Sequence, residues 1–390
     1  MFSKRTDWSR APSRLSELVA LASGPLLDLT ESNPTLAGFT APSVVAELGD
    51  ARGATYRPEP RGMLSAREAI CGYYRERGAS VSPEQVVLTA STSEAYGWMF
   101  KLFCEPGDCV LVPAPAYPLL PLLADLEEVR LVRYPHVREE CWRIDLGATE
   151  RLLAENRARA VTLVHPGNPT GSFTRRDEAC ALATMARRYD AALLVDEVFS
   201  DYAHGVLAPD RQPTFAGGTE ALTIVMSGLS KVALSPQLKL GWVVVAGADE
   251  ATRREALERL EVIADCYLSV ATPVQLALPK ILAAAPALQS QVRDRLRKNL
   301  AVLDATLLLA GLDSPVRRLA MDGGWYALVQ LPRTRDDDQW LERTLAAGVL
   351  VHPGYFFEVA TAGMMVVSLL TDEPTFAAGI ARAVAVWSEA

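Results

Sequence analysis

Leu222-Thr-Ile-Val-Met226, Ser227-Gly-Leu-Ser-Lys231 and Leu240-Gly-Trp-Val-Val-Val245 decide how this chain is read. The first is an apolar run with the length of a buried strand, it breaks at Ser227, and a second apolar run closes the stretch. Lys231 therefore stands at a strand end in apolar surroundings. Desolvation there disfavours the ammonium form and leaves an amine that is nucleophilic near neutral pH, able to form a Schiff base with an aldehyde. The plain alternative is a surface lysine after a strand, and four other strand ends decide between the two.

Ala160-Val-Thr-Leu-Val-His165 runs into Pro-Gly-Asn168-Pro-Thr-Gly171, a turn with one spare amide. Ala191-Ala-Leu-Leu-Val195 ends at Asp196-Glu197, and Cys109-Val-Leu-Val112 ends in Pro-Ala-Pro-Ala-Tyr117. Gln85-Val-Val-Leu-Thr89 is followed by Ser91, Thr92 and Ser93 at the expected start of a helix, Glu94 to Phe103. In open α/β sheets ligands bind beyond the carboxyl ends of the strands, so these residues are expected to meet in one crevice.

Together they suit a flat, anionic, heteroaromatic aldehyde. Pyridoxal 5'-phosphate needs a lysine for its aldehyde, a carboxylate for its ring nitrogen, a donor for its phenolate oxygen, an aromatic neighbour and donors for its phosphate. Lys231, Asp196, Asn168, Tyr117 and Ser91 to Ser93 supply one of each. Hydroxyls and free amides at a helix start suit a phosphate, since both the N–H groups and the helix dipole favour an anion.

With Tyr56 to Gly62, Gly241-Trp242 and the C-terminal segment in the same order, the chain resembles the fold type I pyridoxal-phosphate enzymes, specifically the class I/II aminotransferases related to aspartate aminotransferase. The resemblance covers essentially the whole chain. It implies an α/β fold: a three-layer α/β/α large domain with a mostly parallel sheet, and a smaller α+β domain built from the C-terminal part and the N-terminal arm. It also implies a homodimer with shared active sites, in which Tyr56 reaches the phosphate of the neighbouring subunit. Ser230, beside the lysine, joins the cofactor-binding set.

The departures from the family pattern are informative. Lys239 stands where the family has a phosphate-gripping arginine, and it brings a point charge in place of a bidentate fork. Phe199 stands where a tyrosine donates to the phenolate oxygen, leaving Asn168, with Tyr202 as a possible substitute donor. Gly228 replaces a serine, so Ser227 or Ser230 is expected to serve the phosphate. Val366, in Gly363-Met-Met-Val366-Val-Ser368, replaces the arginine that binds the substrate carboxylate. Candidate replacements are Asn168, Ser32-Asn33-Pro34 and Arg61, the last having a solvated loop arginine as its plainer reading.

The expected reaction is ping-pong transfer of an amino group between an amino acid and a 2-oxo acid, with Lys231 as the proton carrier. The alternative keeps the cofactor but acts as a lyase, cyclase or decarboxylase. A net charge of −8 offers no basic stripe for nucleic acid. Six cysteines without a CxxC pair and four histidines without metal spacing point to reduced thiols, a cytoplasmic location and no metal site. No run has the length of a membrane span.

The chain of 390 residues, 49% hydrophobic, has room for two domains. The reading places an N-terminal helix and arm at 1–43, the large cofactor-binding domain at 44–272, an interdomain helix at 273–309 and the small domain at 310–390. The first helix is expected over Leu15 to Ala22, stopped by Ser23-Gly-Pro25, and the long helix carries Pro279 and Pro286.

Overall fold

A computed structural model describes residues 1–22, 24–138, 141–311 and 314–389. Its centre is an eight-stranded sheet: β1 (Val86–Thr89), β2 (Cys109–Ala114), β3 (Arg130–Arg138), β4 (Trp142–Ile144), β5 (Ala160–Val164), β6 (Ala192–Asp196), β7 (Thr223–Gly228) and β8 (Gly241–Ala246). They lie in the order β1-β8-β7-β6-β5-β2-β3-β4. The pairs from β3 through β7 are parallel, whereas β8 runs against both β7 and β1, and β4 runs against β3.

Both faces are covered, and the strand sequences show why. Successive side chains alternate between faces, so Val86, Leu88, Leu193, Val195 and Val225 enter one core while Val87, Leu194 and Ile224 enter another. Helix α1 (Thr92–Phe103) and the helix Glu250–Tyr267 pack on the second face. Polar residues on either face would sit in a core, so the strands read as continuous apolar runs.

A third core joins the C-terminal part to the N-terminal arm. Tyr326–Gln330 pairs with Met364–Ser368 in a four-stranded antiparallel sheet, and Leu27–Asp28 pairs in parallel with Val349–Leu350. Val349–Leu350 thus serves the arm, and His352–Pro353 serves the sheet. A single helix of 38 residues, Thr272–Leu309, keeps Pro279 and Pro286 in its interior. The first helix spans Arg14–Leu21, and Ser23 of its expected stop lies outside the described residues.

Candidate active site

β1, β2, β5, β6 and β7 all run the same way, because β8 reverses direction once on each side. Their carboxyl ends therefore share one edge of the sheet. Ser91 to Ser93, Tyr117, Asn168, Asp196 and Lys231 follow those ends, and Lys239 precedes β8, which starts there. Gly241 pairs with both Thr89 and Gly228, so the register sets the start of α1, Lys239 and the lysine turn side by side.

Lys231 lies in the one-turn helix α2 (Leu229–Val232). Its Nζ donates to the carbonyl of Ser32 at 3.3 Å and stands 4.6 Å from the centre of the Trp325 ring and 5.7 Å from that of Phe199. Burial pulls its pKa down to about 8, against the opposing pull of Asp196 and Glu31. Asp196 is the reciprocal case: burial raises it to about 6, while the Val198 N–H at 3.1 Å, the Tyr96 hydroxyl at 3.4 Å and Lys231 favour its charged form. The two groups thus lie within electrostatic reach of one another.

Asn168 is buried, and its Oδ1 has no partner among the described residues. At the start of α1 the Ser91 side chain accepts from the Glu94 N–H at 3.1 Å, and no hydrogen bond among the described residues takes the Thr92 or Ser93 N–H. Tyr117 is half exposed on its loop, yet its hydroxyl is shifted upward by burial and by Asp196. Lys239 is exposed in a left-handed conformation. Ser227 is fully buried within β7, while Ser230 is partly open beside Lys231. Gly228 is where it is for a packing reason: a Cβ there would lie 3.1 Å from the Gly241 Cα and 3.2 Å from the Leu240 carbonyl.

The remaining expected residues are placed differently. Arg61 pairs with Glu261 at 2.6 Å and donates to the Glu84 carbonyl at 3.4 Å, and Glu84 precedes β1, at the end of that strand remote from Ser91. Asn33 spends its Oδ1 on the N–H and hydroxyl of Thr35, at 3.0 and 2.7 Å. Tyr56 is exposed. Val366 is fully buried in the third core, paired with Leu328 and His352. Phe199 is buried with its edge to Trp325, ring centres 5.3 Å apart. Tyr202 is no substitute donor at the crevice, because its hydroxyl is bonded to the Lys231 carbonyl at 2.6 Å.

Sequence reasoning missed Tyr96, Trp325 and Glu31. Tyr96 had a usable signal, since it lies early in a helix that starts at the crevice. Trp325 had none, because its position over Lys231 depends on how the third core docks.

Residues 18–375 match the family model described as aminotransferase class I and II. The chain belongs to that family. The human tyrosine aminotransferase is 28% identical over 267 residues, 67% of this chain and 58% of that protein. The glutamate-pyruvate aminotransferase AlaA of Escherichia coli is 28% identical over 264 residues, 65% of this chain and 62% of that protein. The matched segments therefore span less than two thirds of these two relatives. A solved structure of a single mutant of the Thermus thermophilus aspartate aminotransferase superposes with a TM-score of 0.84 at 25% identity, covering 99% of each chain.

Class I and II aminotransferases use pyridoxal phosphate, and the residues at this edge fit it. The free N–H groups at the start of α1 form a ready anion site for the phosphate. The Asn168 amide, buried at the same edge, has N–H groups that can donate to the phenolate oxygen. Among the described residues no cluster of His, Cys, Asp or Glu could hold a metal, and no helix is long and apolar enough to cross a membrane.

Proposed function

We propose that this chain is a pyridoxal-phosphate-dependent aminotransferase that moves an amino group from an amino acid donor to a 2-oxo acid by a ping-pong route. The observation that carries the reading is the amine of Lys231 and the carboxylate of Asp196, set at the ends of adjacent strands and each perturbing the other. When bound, the cofactor supplies a carbonyl carbon to receive nitrogen and a ring to receive electrons.

The chain's own residues do the rest. Asp196, held by Tyr96 and Val198, keeps a proton on the ring nitrogen. Asn168 and Tyr117 orient the ring, while Ser91, Thr92, Ser93, Ser230 and Lys239 hold the phosphate, joined by Tyr56 of a second copy in a homodimer. The Lys231 amine, with its lowered pKa, would carry the proton off the donor carbon and return it to the carbon on the far side of the transferred nitrogen. Trp325 and Phe199 screen that transfer from water.

Relatives named as aminotransferases support transfer over the lyase alternative. A cytoplasmic location agrees with the six free thiols. The arm at 1–43, the large domain at 44–272, the linking helix at 273–309 and the small domain at 310–390 complete the reading. Adding an amino donor to the loaded protein should convert the bound cofactor to its pyridoxamine form. Regeneration of the starting spectrum in one turnover without any 2-oxo acid would favour the lyase.

A further inference from the structure

The wall of the crevice that faces the Lys231 amine has an unusual charge balance. Val366, fully buried, contributes no charge, and the strand that carries it contributes Ser368, whose hydroxyl donates to the Glu31 carbonyl at 2.5 Å. The Ser368 N–H also donates to the Leu29 carbonyl at 2.7 Å, so Ser368 holds the arm at Leu29 and at Glu31, on both sides of Thr30. Ser32, the next residue, accepts from the Lys231 Nζ at 3.3 Å. Glu31 is thereby fixed one residue from the reacting amine.

Two acids, Asp196 and Glu31, favour the charged form of Lys231. Asp196 is buried and committed to Tyr96 and Val198. Glu31 is partly open, one of its oxygens accepts from the Asn33 N–H at 2.6 Å, and no cation pairs with it among the described residues. Aromatic rings border the amine: Lys231 Nζ stands 4.6 Å from the centre of the Trp325 ring and 5.7 Å from that of Phe199, and Trp325 is followed by Tyr326, whose ring packs 5.5 Å from that of Phe357. Such a surface accepts a methylene stem and favours a cation above a ring face.

We propose that Glu31 is a specificity-determining residue, holding the second cationic group of an amino donor that carries two. The chemistry is a primary amine on an aliphatic stem ending in an ammonium or guanidinium, whether a diamine or a basic amino acid. The inference rests on the aminotransferase reading. The donor carbon loses a proton to Lys231, its bond to nitrogen and two electrons to the cofactor, and water supplies the oxygen of the carbonyl product. A 2-oxo acid takes the nitrogen and electrons back.

The test compares 1,4-diaminobutane, ornithine, butylamine and alanine as donors to the loaded protein, by kcat/KM. 1,4-Diaminobutane should exceed butylamine, and ornithine should exceed alanine, at least tenfold. Diaminobutane ahead of ornithine identifies a diamine, and the reverse order a basic amino acid. Glu31→Gln should shrink that preference at least tenfold, whereas a purely structural Glu31 would lower all four donors alike. Binding of 1,4-diaminobutane to Lys231→Ala by calorimetry, with and without Glu31→Gln, reads the contact without turnover. Equal use of alanine and ornithine, or a preference unchanged in Glu31→Gln, overturns the inference and leaves the aminotransferase reading intact. Conversion by none of the four or by glutamate overturns the aminotransferase reading, and this inference with it.

Discussion

The hydroxyl of Tyr202 donates to the carbonyl of Lys231 at 2.6 Å, so this phenol fixes the lysine's backbone and is not available to the cofactor. Phe199, three residues earlier, offers no donor either. Asn168 is then the remaining neutral donor for the phenolate oxygen. A donor there favours the form of the bound cofactor that has lost its shared proton, so its absence keeps the proton on to higher pH.

Phe199→Tyr should therefore lower the pH at which the cofactor's visible band changes. A shift of one unit would correspond to about 1.4 kcal/mol of differential interaction. Titration of the absorbance in both proteins measures it. An unchanged midpoint would mean that the added hydroxyl points away, towards Trp325, which now packs against that ring edge.

Lys231→Ala should leave a folded protein that no longer fixes the cofactor. Loss of the proton carrier alone is worth about 10²–10⁴ in rate, with loss of the covalent link added to it. Borohydride reduction of the loaded wild-type protein followed by peptide mapping should find the cofactor on Lys231. Label on another lysine would remove the assignment.

The sheet was legible because its strands are buried on both faces, which makes Cys109 to Val112, Ala160 to Val164 and Ala192 to Val195 stand out as apolar runs. The edge of the site was legible for the same reason: a polar residue just after such a run, such as Asp196 or Lys231, has a single place to go. Residues placed by tertiary docking were not. Arg61 read as a candidate ligand because its segment borders the crevice, but the side chain turns to Glu261, a helix that local sequence does not connect to it. Glu31 and Trp325 meet Lys231 only when the arm and the third core close on the large sheet, and no short-range pattern encodes that closure.

Ser91→Ala should cost about 1 kcal/mol of stability through the lost N-cap to the Glu94 N–H. Its effect on cofactor retention should be larger in proportion than that of Lys239→Ala, because the cap sets the direction of the Thr92 and Ser93 N–H groups. Denaturant unfolding of the cofactor-free protein isolates the first effect. Dialysis of the loaded protein isolates the second, and equal retention in all three proteins would take the phosphate away from the start of α1.

Tyr56→Phe should weaken cofactor retention without altering the fold, since Tyr56 is exposed on its own chain and the substitution keeps its ring. Sedimentation should find a dimer at micromolar concentration. A fully active monomer would contradict the shared site.

The coupling of Lys231 to Asp196 gives a pH test with a definite sign. In the cofactor-free protein burial holds Lys231 near a pKa of about 8, so its amine is protonated below that pH and free above it. Acylation of Lys231 by an amine reagent, read peptide by peptide, should rise through a midpoint near that value. Asp196, raised to about 6, is ionised in that range and stabilises the ammonium. Asp196→Asn removes this support, so the Lys231 midpoint should fall to lower pH. Turnover of the loaded mutant should nevertheless drop on the order of a hundredfold or more, because the carboxylate that holds the ring proton is gone. A plain helix-capping acid predicts the opposite pattern: an unmoved lysine midpoint, near-normal turnover and a stability loss of about 1 kcal/mol.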